Sequence, residues 1–271
     1  MQQFPNLQKL LEVMQRLRDP EDGCPWDRKQ SFQSIVPFTI EEAYEVADAI
    51  EHGSMEDIKD ELGDLLFQVV FYAQLGQEQN EFDFEAVAGA IVDKLIRRHP
   101  HVFADAEIDC EAQLNRHWDK IKQQERLSQG KASDNSVLAN IPAGMAPLMR
   151  ANKIQKRCAK VGFDWPELAP VVDKIHEEID EVMQEVNQPK MDQQAVEEEM
   201  GDLLFAVVNL SRHLKVEPET ALRKANHKFE QRFRAVEQHF IQRDLAIEQA
   251  TLDEMEDVWQ RVKAANKGNQ A

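Results

Sequence analysis

Apolar side chains recur along most of this chain at spacings of three and four residues, the period of an α-helix that buries one face. Alternation with a period of two, which marks a half-buried strand, is confined to short ambiguous runs. Ser54-x-x-Asp57 and Thr251-x-x-Glu254 have the spacing of N-terminal capping boxes, and Pro218 stands near a predicted helix start. The pattern predicts an all-α protein.

The same order of elements occurs twice in the chain. The heptapeptide ELGDLLF at 61–67 recurs as EMGDLLF at 199–205. Equivalent positions are 136 apart at the first acid pair (177 − 41) and 141 apart at the last tryptophan (259 − 118), so only short insertions separate the copies. We predict a tandem duplication of a bundle of four to five helices.

A polar segment of short side chains lies between the two copies, and three helix-breaking residues follow it, at Pro142, Gly144 and Pro147. This composition is typical of a linker. We therefore place a first helical domain at 1–127, the linker at 128–146 and a second helical domain at 147–271.

Each copy carries two acidic motifs that are expected on neighbouring helices. They are Glu41-Glu42-x-x-Glu45 with Glu61-x-x-Asp64, and Glu177-Glu178-x-x-Glu181 with Glu199-x-x-Asp202. Residues three apart share one face of a helix, so four carboxylates can converge in each copy. Such groups share protons or bind a cation. Because all the ligands are oxygens, Mg²⁺ is favoured, and Mn²⁺ would also suit the site.

Two other interpretations of the acids fit the sequence less well. A Glu-rich helix is usually a solvated face, but Asp64 and Asp202 each open a long apolar run, where a poorly solvated acid needs a partner. A di-iron bundle would carry Glu-x-x-His on two helices, and these motifs lack the histidine. A site for a hard cation is therefore the stronger prediction.

Basic and aromatic residues suited to a polyphosphate ligand also recur. Lys174 precedes Glu177 and Glu178 by one turn, and Lys228 and Arg232 share a helix face. The first copy repeats that last pair as Lys94 and Arg98. Trp118 and Trp259 occupy equivalent places, and either a core anchor or a base-stacking role fits them.

Composition limits the partners and the compartment. The formal net charge is −18, which argues against a nucleic-acid partner bound through a broad basic surface. Three cysteines without a Cys-x-x-Cys pair indicate neither a disulfide framework nor a zinc site. No stretch has the roughly 20 apolar residues of a membrane span. We expect a soluble, cytoplasmic protein that binds no membrane.

An apolar stripe predicts self-association. Packing within a bundle covers only part of each helix, and we expect Phe67, Val70 and Phe71 to need further cover. Pairing of the two halves, or of two chains, would supply it.

The motifs in combination resemble those of the MazG family of nucleoside triphosphate pyrophosphohydrolases, and the likeness spans nearly the whole chain. The segments that carry it are GCPWD at 23–27, EEAYEV at 41–46, ELGDLLF at 61–67 and RRHPHVF at 97–103, followed by the second copy. The resemblance implies Mg²⁺-dependent cleavage of NTPs and dNTPs between the α and β phosphates, giving a nucleoside monophosphate and pyrophosphate. It also implies an all-α fold and a homodimer.

The resemblance also assigns roles to individual residues. The metal ligands that it implies are Glu178, Glu181, Glu199 and Asp202, with Glu42, Glu45, Glu61 and Asp64 as their first-half counterparts. Glu177 or Glu198 would orient or deprotonate the attacking water, and the sequence does not choose between them. The substrate-binding residues would be Lys174, Lys228 and Arg232 at the triphosphate and Trp259 at the base.

Competing functions share the same fold. A non-catalytic acidic helical regulator, or nucleotide-binding scaffold, would bind without turnover, and a phosphohydrolase of the terminal phosphate would differ in the bond that it cuts. Retention of the acids in both halves favours catalysis. Because Lys174 has no basic counterpart in the first half, where Phe38 stands, we predict that the second half is the principal catalytic site.

Overall fold

The computed structural model describes residues 4–104, residues 136–268, and eight positions between them: 110, 113, 114, 117, 118, 121, 125 and 134. The described residues are mainly helical and contain no strand, which confirms the all-α prediction. The chain divides into two compact units, 1–129 and 130–271. No described helix combines the length and apolar composition needed to cross a bilayer.

The first unit contains five described helices. They are α1 (Pro5–Leu17), α2 (Phe32–His52), α3 (Met55–Glu78), α4 (Phe84–Arg98) and the short α5 (Pro100–Phe103). Helices α2 and α3 make the most extensive contact, and α1 packs against α3. The Ser54 side chain caps α3 while Asp57 bonds back to the Ser54 backbone, so the predicted capping box is confirmed.

The core of the first unit lies between α1, α2 and α3. Its buried side chains are Met14, Ile35, Val70, Phe71 and Leu75. The prediction that Val70 and Phe71 form a stripe for another surface is therefore wrong: their side chains are 1% and 0% exposed, respectively. Helix α1, which the periodicity of α3 alone could not place, covers this face.

A different stripe of α3 is exposed. Leu62, Leu66 and Val69 follow one another at spacings of four and three residues, and each has more than a third of its surface accessible. In the second unit, Met200, Leu204 and Val207 occupy the equivalent positions and are exposed to a similar degree.

The second unit repeats the architecture with α6 (Pro147–Ala159), α7 (Leu168–Val186), α8 (Gln193–His213), α9 (Pro218–Ile241) and α10 (Leu252–Gly268). Its most extensive contact joins α7 and α8, and α6 packs on α8 as α1 packs on α3. Pro218 begins α9, and Thr251 and Glu254 make the reciprocal hydrogen bonds of the predicted capping box. A small core of Val236, Phe240 and Val258 joins α9 to α10.

The predicted linker falls partly outside the described residues, which exclude 128–133 and 135. From 136 to 146 the chain runs through turns without a helix, and the Ala139 side chain is buried. The limits of the predicted linker and domains stay a prediction.

Candidate functional site

Three carboxylates of the second unit converge where α7 packs against α8. Single oxygens of Glu178, Glu199 and Asp202 lie within 4.8 Å of one another. Glu178 is only 4% exposed, and its Oε2 atom has no hydrogen-bond partner among the described residues. A buried, unpartnered carboxylate oxygen costs free energy unless a ligand satisfies it.

The electrostatics of this cluster favour a cation. Burial, followed by the charges of Asp202 and Glu178, raises the pKa of Glu199 above its ordinary value. The pKa of Glu181 is also raised, first by burial and then by the carboxyl of Glu178, against an opposing effect of Lys174. Both shifts mean that ionising the cluster costs free energy unless a proton or a cation neutralises the charge.

Lys174 lies at the edge of the cluster. Its Nζ donates to Oε1 of Glu177 at 2.8 Å and lies 2.7 Å from Oε1 of Glu178. Hydrogen bonds to Glu177 and Glu178 raise the pKa of Lys174, so the ammonium stays charged. One positive charge only partly offsets the negative charges of Glu178, Glu181, Glu199 and Asp202.

The most buried acid of the cluster differs from the one expected. The sequence argument placed Asp202 in a poorly solvated position, but the structure leaves Asp202 exposed and buries Glu178 instead. Both residues line the same cavity, but only Glu178 is buried. Glu185, which the motifs do not include, also adds its charge to the raised pKa of Glu199. Its spacing continues the helix face of Glu178 and Glu181 by one turn, so helical periodicity could have indicated it.

A cavity of about 640 Å³ adjoins the acids. Lys174, Glu178 and Asp202 line it on the acidic side, and its other lining residues are mostly apolar. Aromatic rings contribute from the segment before α7 and from α8, at Phe163, Trp165 and Phe205. A pocket of this size, apolar with a few polar groups, has the character of a small-molecule site.

One wall of the cavity is a hydrogen-bonded network. Arg212 on α8 makes a two-pronged ion pair with Asp164, with one contact at 2.9 Å, and its guanidinium also donates to Oδ1 of Asn209. His213 lies 3.1 Å from the same carboxylate. The arginine holds the pKa of Asp164 below its ordinary value. The network therefore ties the loop that carries Trp165 to α8.

The remaining predicted substrate residues lie elsewhere in the unit. None of Lys228, Arg232 and Trp259 lines this cavity. The Arg232 guanidinium stands 5.9 Å from the centre of the Trp259 ring, and no described carboxylate lies within ion-pair distance of it. Trp259 packs on the core of Val258 and Phe240, which favours the anchoring role that the sequence left open.

The two candidate catalytic carboxylates also differ in their surroundings. Glu177 is exposed and is engaged by Lys174. Glu198 is exposed on α8, and its charge contributes to the raised pKa of Glu199.

The first unit has a similar acid cluster. Oxygens of Glu42, Glu45 and Glu61 lie within 4.8 Å of one another. Burial, followed by the charges of Asp64 and Glu45, raises the pKa of Glu42. Gln68 donates a hydrogen bond of 3.3 Å to Glu42 from the buried side, where the second unit has Ala206.

Larger side chains stand beside that first cluster than at the equivalent positions of the second. Phe71, which is fully buried, holds the position of Asn209 in the second unit, and the buried Gln68 holds that of Ala206. Phe38 replaces Lys174 and packs edge to face on Trp26. Larger side chains thus occupy the positions whose smaller counterparts line the cavity of the second unit.

The basic pair of the first unit is also differently engaged. Arg98, the counterpart of Arg232, lies 2.6 Å from Glu125, as does Arg97. Hydrogen bonds from Arg98 lower the pKa of Glu125 to about 2. An arginine paired in this way is less available to a phosphate. Lys94 is exposed.

The second cluster fits Mg²⁺ on its own geometry. It offers only oxygen ligands from two packed helices, together with a buried oxygen of Glu178 that has no partner among the described residues. Burial, and then the neighbouring charges, raise the pKa of Glu199. Hard divalent cations take this kind of ligand set, usually keeping several waters.

The fold and these acids define a duplicated helical protein with a candidate metal centre in each half. The family model of the MazG nucleotide pyrophosphohydrolase domain matches the chain twice, at 30–103 and 169–236. The chain belongs to the MazG family, a family of hydrolases, as its motifs indicated.

Curated relatives extend this likeness beyond the family model. A nucleoside triphosphate pyrophosphohydrolase of Escherichia coli (strain K12) is 56% identical over 257 residues, covering 95% of this chain and 97% of the relative. The Thermotoga maritima protein named nucleoside triphosphate pyrophosphohydrolase/pyrophosphatase MazG is 40% identical and covers 96% of each chain. A Mycobacterium tuberculosis nucleoside triphosphate pyrophosphohydrolase is 31% identical over 58% of this chain and 46% of its own length.

Proposed function

We propose that this chain is a Mg²⁺-dependent enzyme that hydrolyses nucleoside triphosphates between the α and β phosphates. The products are a nucleoside monophosphate and pyrophosphate. The observation that carries the proposal is the convergence of Glu178, Glu199 and Asp202 beside a cavity large enough for a nucleoside. The names of the relatives support the same substrate class.

The metal would be held by Glu178, Glu199 and Asp202, with Glu181 adjacent. Bound Mg²⁺ supplies charge neutralisation and polarises phosphate oxygens. The chain fixes these carboxylates on two packed helices, so little reorganisation is needed when the ligand arrives.

Glu198 is the better candidate for holding the proton of the attacking water. It is exposed, with no described cation paired to it, and it neighbours Glu199 in the sequence. Glu177, by contrast, accepts a hydrogen bond from Lys174, which occupies one of the oxygens that would take the proton of the water. In this proposal Lys174, which lines the cavity at the edge of the acid cluster, would contact a phosphate oxygen of the substrate.

The product identity tests this function. The pure protein is incubated with dATP and Mg²⁺, and products are separated by ion-exchange chromatography. We expect dAMP and pyrophosphate in equal amounts. Deoxyadenosine diphosphate with phosphate would show cleavage of the terminal bond, and binding without product would show a regulator or scaffold.

Lys228 and Arg232 are proposed to bind the triphosphate from α9. The Lys228→Ala and Arg232→Ala variants should each raise KM or lower kcat about tenfold or more, because phosphate charge is left uncompensated. Steady-state kinetics check this. Arg234→Ala, on another face of the same helix, is the matched control. Unchanged kinetics with a lower Tm would make the two residues structural.

We propose that the chain forms a homodimer through the exposed apolar stripes of α3 and α8. Leu62, Leu66 and Val69 repeat in the second unit as Met200, Leu204 and Val207, and an exposed apolar face that occurs in both copies is typical of an interface. Sedimentation velocity at micromolar concentration should show a dimer; a monomer would contradict the assignment.

A further inference from the structure

Helix α6 and the turn that follows it are basic in an otherwise acidic chain. No aspartate or glutamate occurs at 135–163, whereas the formal net charge of the whole chain is −18. The same segment carries five basic residues: Arg150, Lys153, Lys156, Arg157 and Lys160. Positive charge concentrated in this way needs either a structural explanation or an anionic partner.

The helical register places part of this charge on one face of α6. Arg150, Lys153 and Arg157 follow one another at spacings of three and four residues, so they lie side by side along the helix. Gln155 lies on the other side, where its Nε2 atom donates to the backbone carbonyl of Phe205 on α8 at 2.8 Å. Arg157 lies in the last turn, where a cation interacts favourably with the helix dipole.

Arg150 and Lys153 lack that structural explanation, because they lie in the first two turns of α6. Both side chains are half-buried, and no described carboxylate lies within ion-pair distance of either. Nε of Arg150 has no hydrogen-bond partner among the described residues. Nζ of Lys153 lies 4.0 Å from Sδ of Met145, which is a weak acceptor. Two neighbouring cations that are partly desolvated and unpaired cost free energy, which an anion would recover.

We propose that Arg150 and Lys153 bind a polyphosphate anion, either pyrophosphate or the phosphate chain of a nucleotide. Residues three apart on a helix have Cβ atoms about 5–6 Å apart, so the two cations can contact neighbouring phosphate groups of one chain. The guanidinium suits two oxygens of one phosphate, and the ammonium acts as a compact charge beside it. Neither residue lines the cavity beside the acids, and the contact needs no metal.

The test measures pyrophosphate binding to protein freed of divalent cations on a chelating resin. Without metal the acid clusters repel the probe, so turnover and the metal centre do not contribute. Isothermal titration at low salt should show binding that Arg150→Gln and Lys153→Gln each weaken about tenfold, the worth of a charge-assisted hydrogen bond. Unchanged affinity in the double variant would overturn the proposal.

The matched control removes one positive charge elsewhere in the same unit. Lys190 is exposed between α7 and α8, and Lys190→Gln should keep the affinity for pyrophosphate within about twofold. An equal loss in Lys190→Gln and Lys153→Gln would show that only the overall charge matters, which would contradict a site on α6.

A second probe distinguishes the two sources of the phosphate chain. The α,β-methylene analogue of ATP is titrated into the same metal-free proteins. Weaker binding of both probes by the double variant would identify the phosphate chain itself as the ligand. A loss for pyrophosphate alone would identify the free anion, and a loss for the analogue alone would identify the nucleotide. Hydrolysis is not needed for either result, so failure of the proposed function would leave this inference standing.

Thermal stability separates a binding site from a structural role. In the absence of anion, the Arg150→Gln, Lys153→Gln protein should have a Tm equal to or above that of the wild type, because two unpaired cations are removed. Pyrophosphate should raise the Tm of the wild type and leave that of the double variant unchanged. A lower Tm in the anion-free variant, with the same increase on adding pyrophosphate, would make the two residues structural and refute the site.

Discussion

Glu178→Gln is expected to reduce pyrophosphate release by about a hundredfold to a thousandfold while the protein stays folded. Glu178 is the buried member of the acid cluster, and its Oε2 atom has no other partner among the described residues. Removing its charge weakens both metal binding and the fixed field at the phosphates, effects that each cost factors of this size. Initial rates at saturating Mg²⁺ measure the loss.

Stability separates this explanation from misfolding. Glutamine keeps the volume of glutamate, and the change relieves repulsion among the acids while removing one partner of Lys174, which keeps Glu177. We expect the free energy of unfolding in the absence of metal to change by less than about 1 kcal/mol. Isothermal titration should show weaker Mg²⁺ binding. Wild-type rates with wild-type Mg²⁺ affinity would remove Glu178 from the site.

An exposed acid on the same helix provides the control for Glu178→Gln. Asp180→Asn changes an exposed acid on the same helix, outside the cluster. It should leave both the rate and the Mg²⁺ affinity within about twofold of the wild-type values, because exposed charges are well screened.

Helical periodicity was sufficient to predict the elements and the convergence of acids between neighbouring helices. Both are local consequences of spacing: Glu199 and Asp202 share a face because they are three residues apart. Capping boxes are equally local, and those at Ser54 and Thr251 form as predicted. The duplication reinforced each inference, since a pattern that appears twice is less often accidental.

Packing between distant segments could not be predicted in the same way. The burial of Val70 and Phe71 depends on where α1 lies, and the cavity that Glu178 lines has α6 on another of its walls. Neither arrangement follows from the spacing within one helix. The cavity was missed for the same reason. One signal was available: Asn209 interrupts an apolar run seven residues after Asp202, on the same helix face.

The side chains beside the two acid clusters differ more in size than in charge. Both acid clusters are present, but the second unit has Ala206 and Asn209 where the first has the bulkier Gln68 and Phe71. The second also has Lys174 in place of Phe38. A filled pocket cannot accept a nucleoside, even if the acids beside it bind a cation. We therefore expect the first unit to keep the features of a metal centre and to leave less room for a substrate.

The structure adds physical reasons for the prediction that the second half is the principal catalytic site. Glu178→Gln with Glu181→Gln should abolish pyrophosphate release, because the acids of the second unit adjoin the cavity. Glu42→Gln with Glu45→Gln should leave at least about half of it, because Phe71 and Gln68 occupy the corresponding space. The two double variants remove the same charges from equivalent positions, so each serves as the control for the other in assays of pyrophosphate release.

The first-half variant also distinguishes a structural role from an inert one. If that cluster stabilises its own unit by binding a cation, Mg²⁺ should raise the Tm of the wild type more than that of the Glu42→Gln, Glu45→Gln protein. Loss of activity in that variant, with the second-half variant fully active, would show that the roles are reversed. Comparable partial losses would mean two working sites, and the filled space at Phe71 would then have to open to admit substrate.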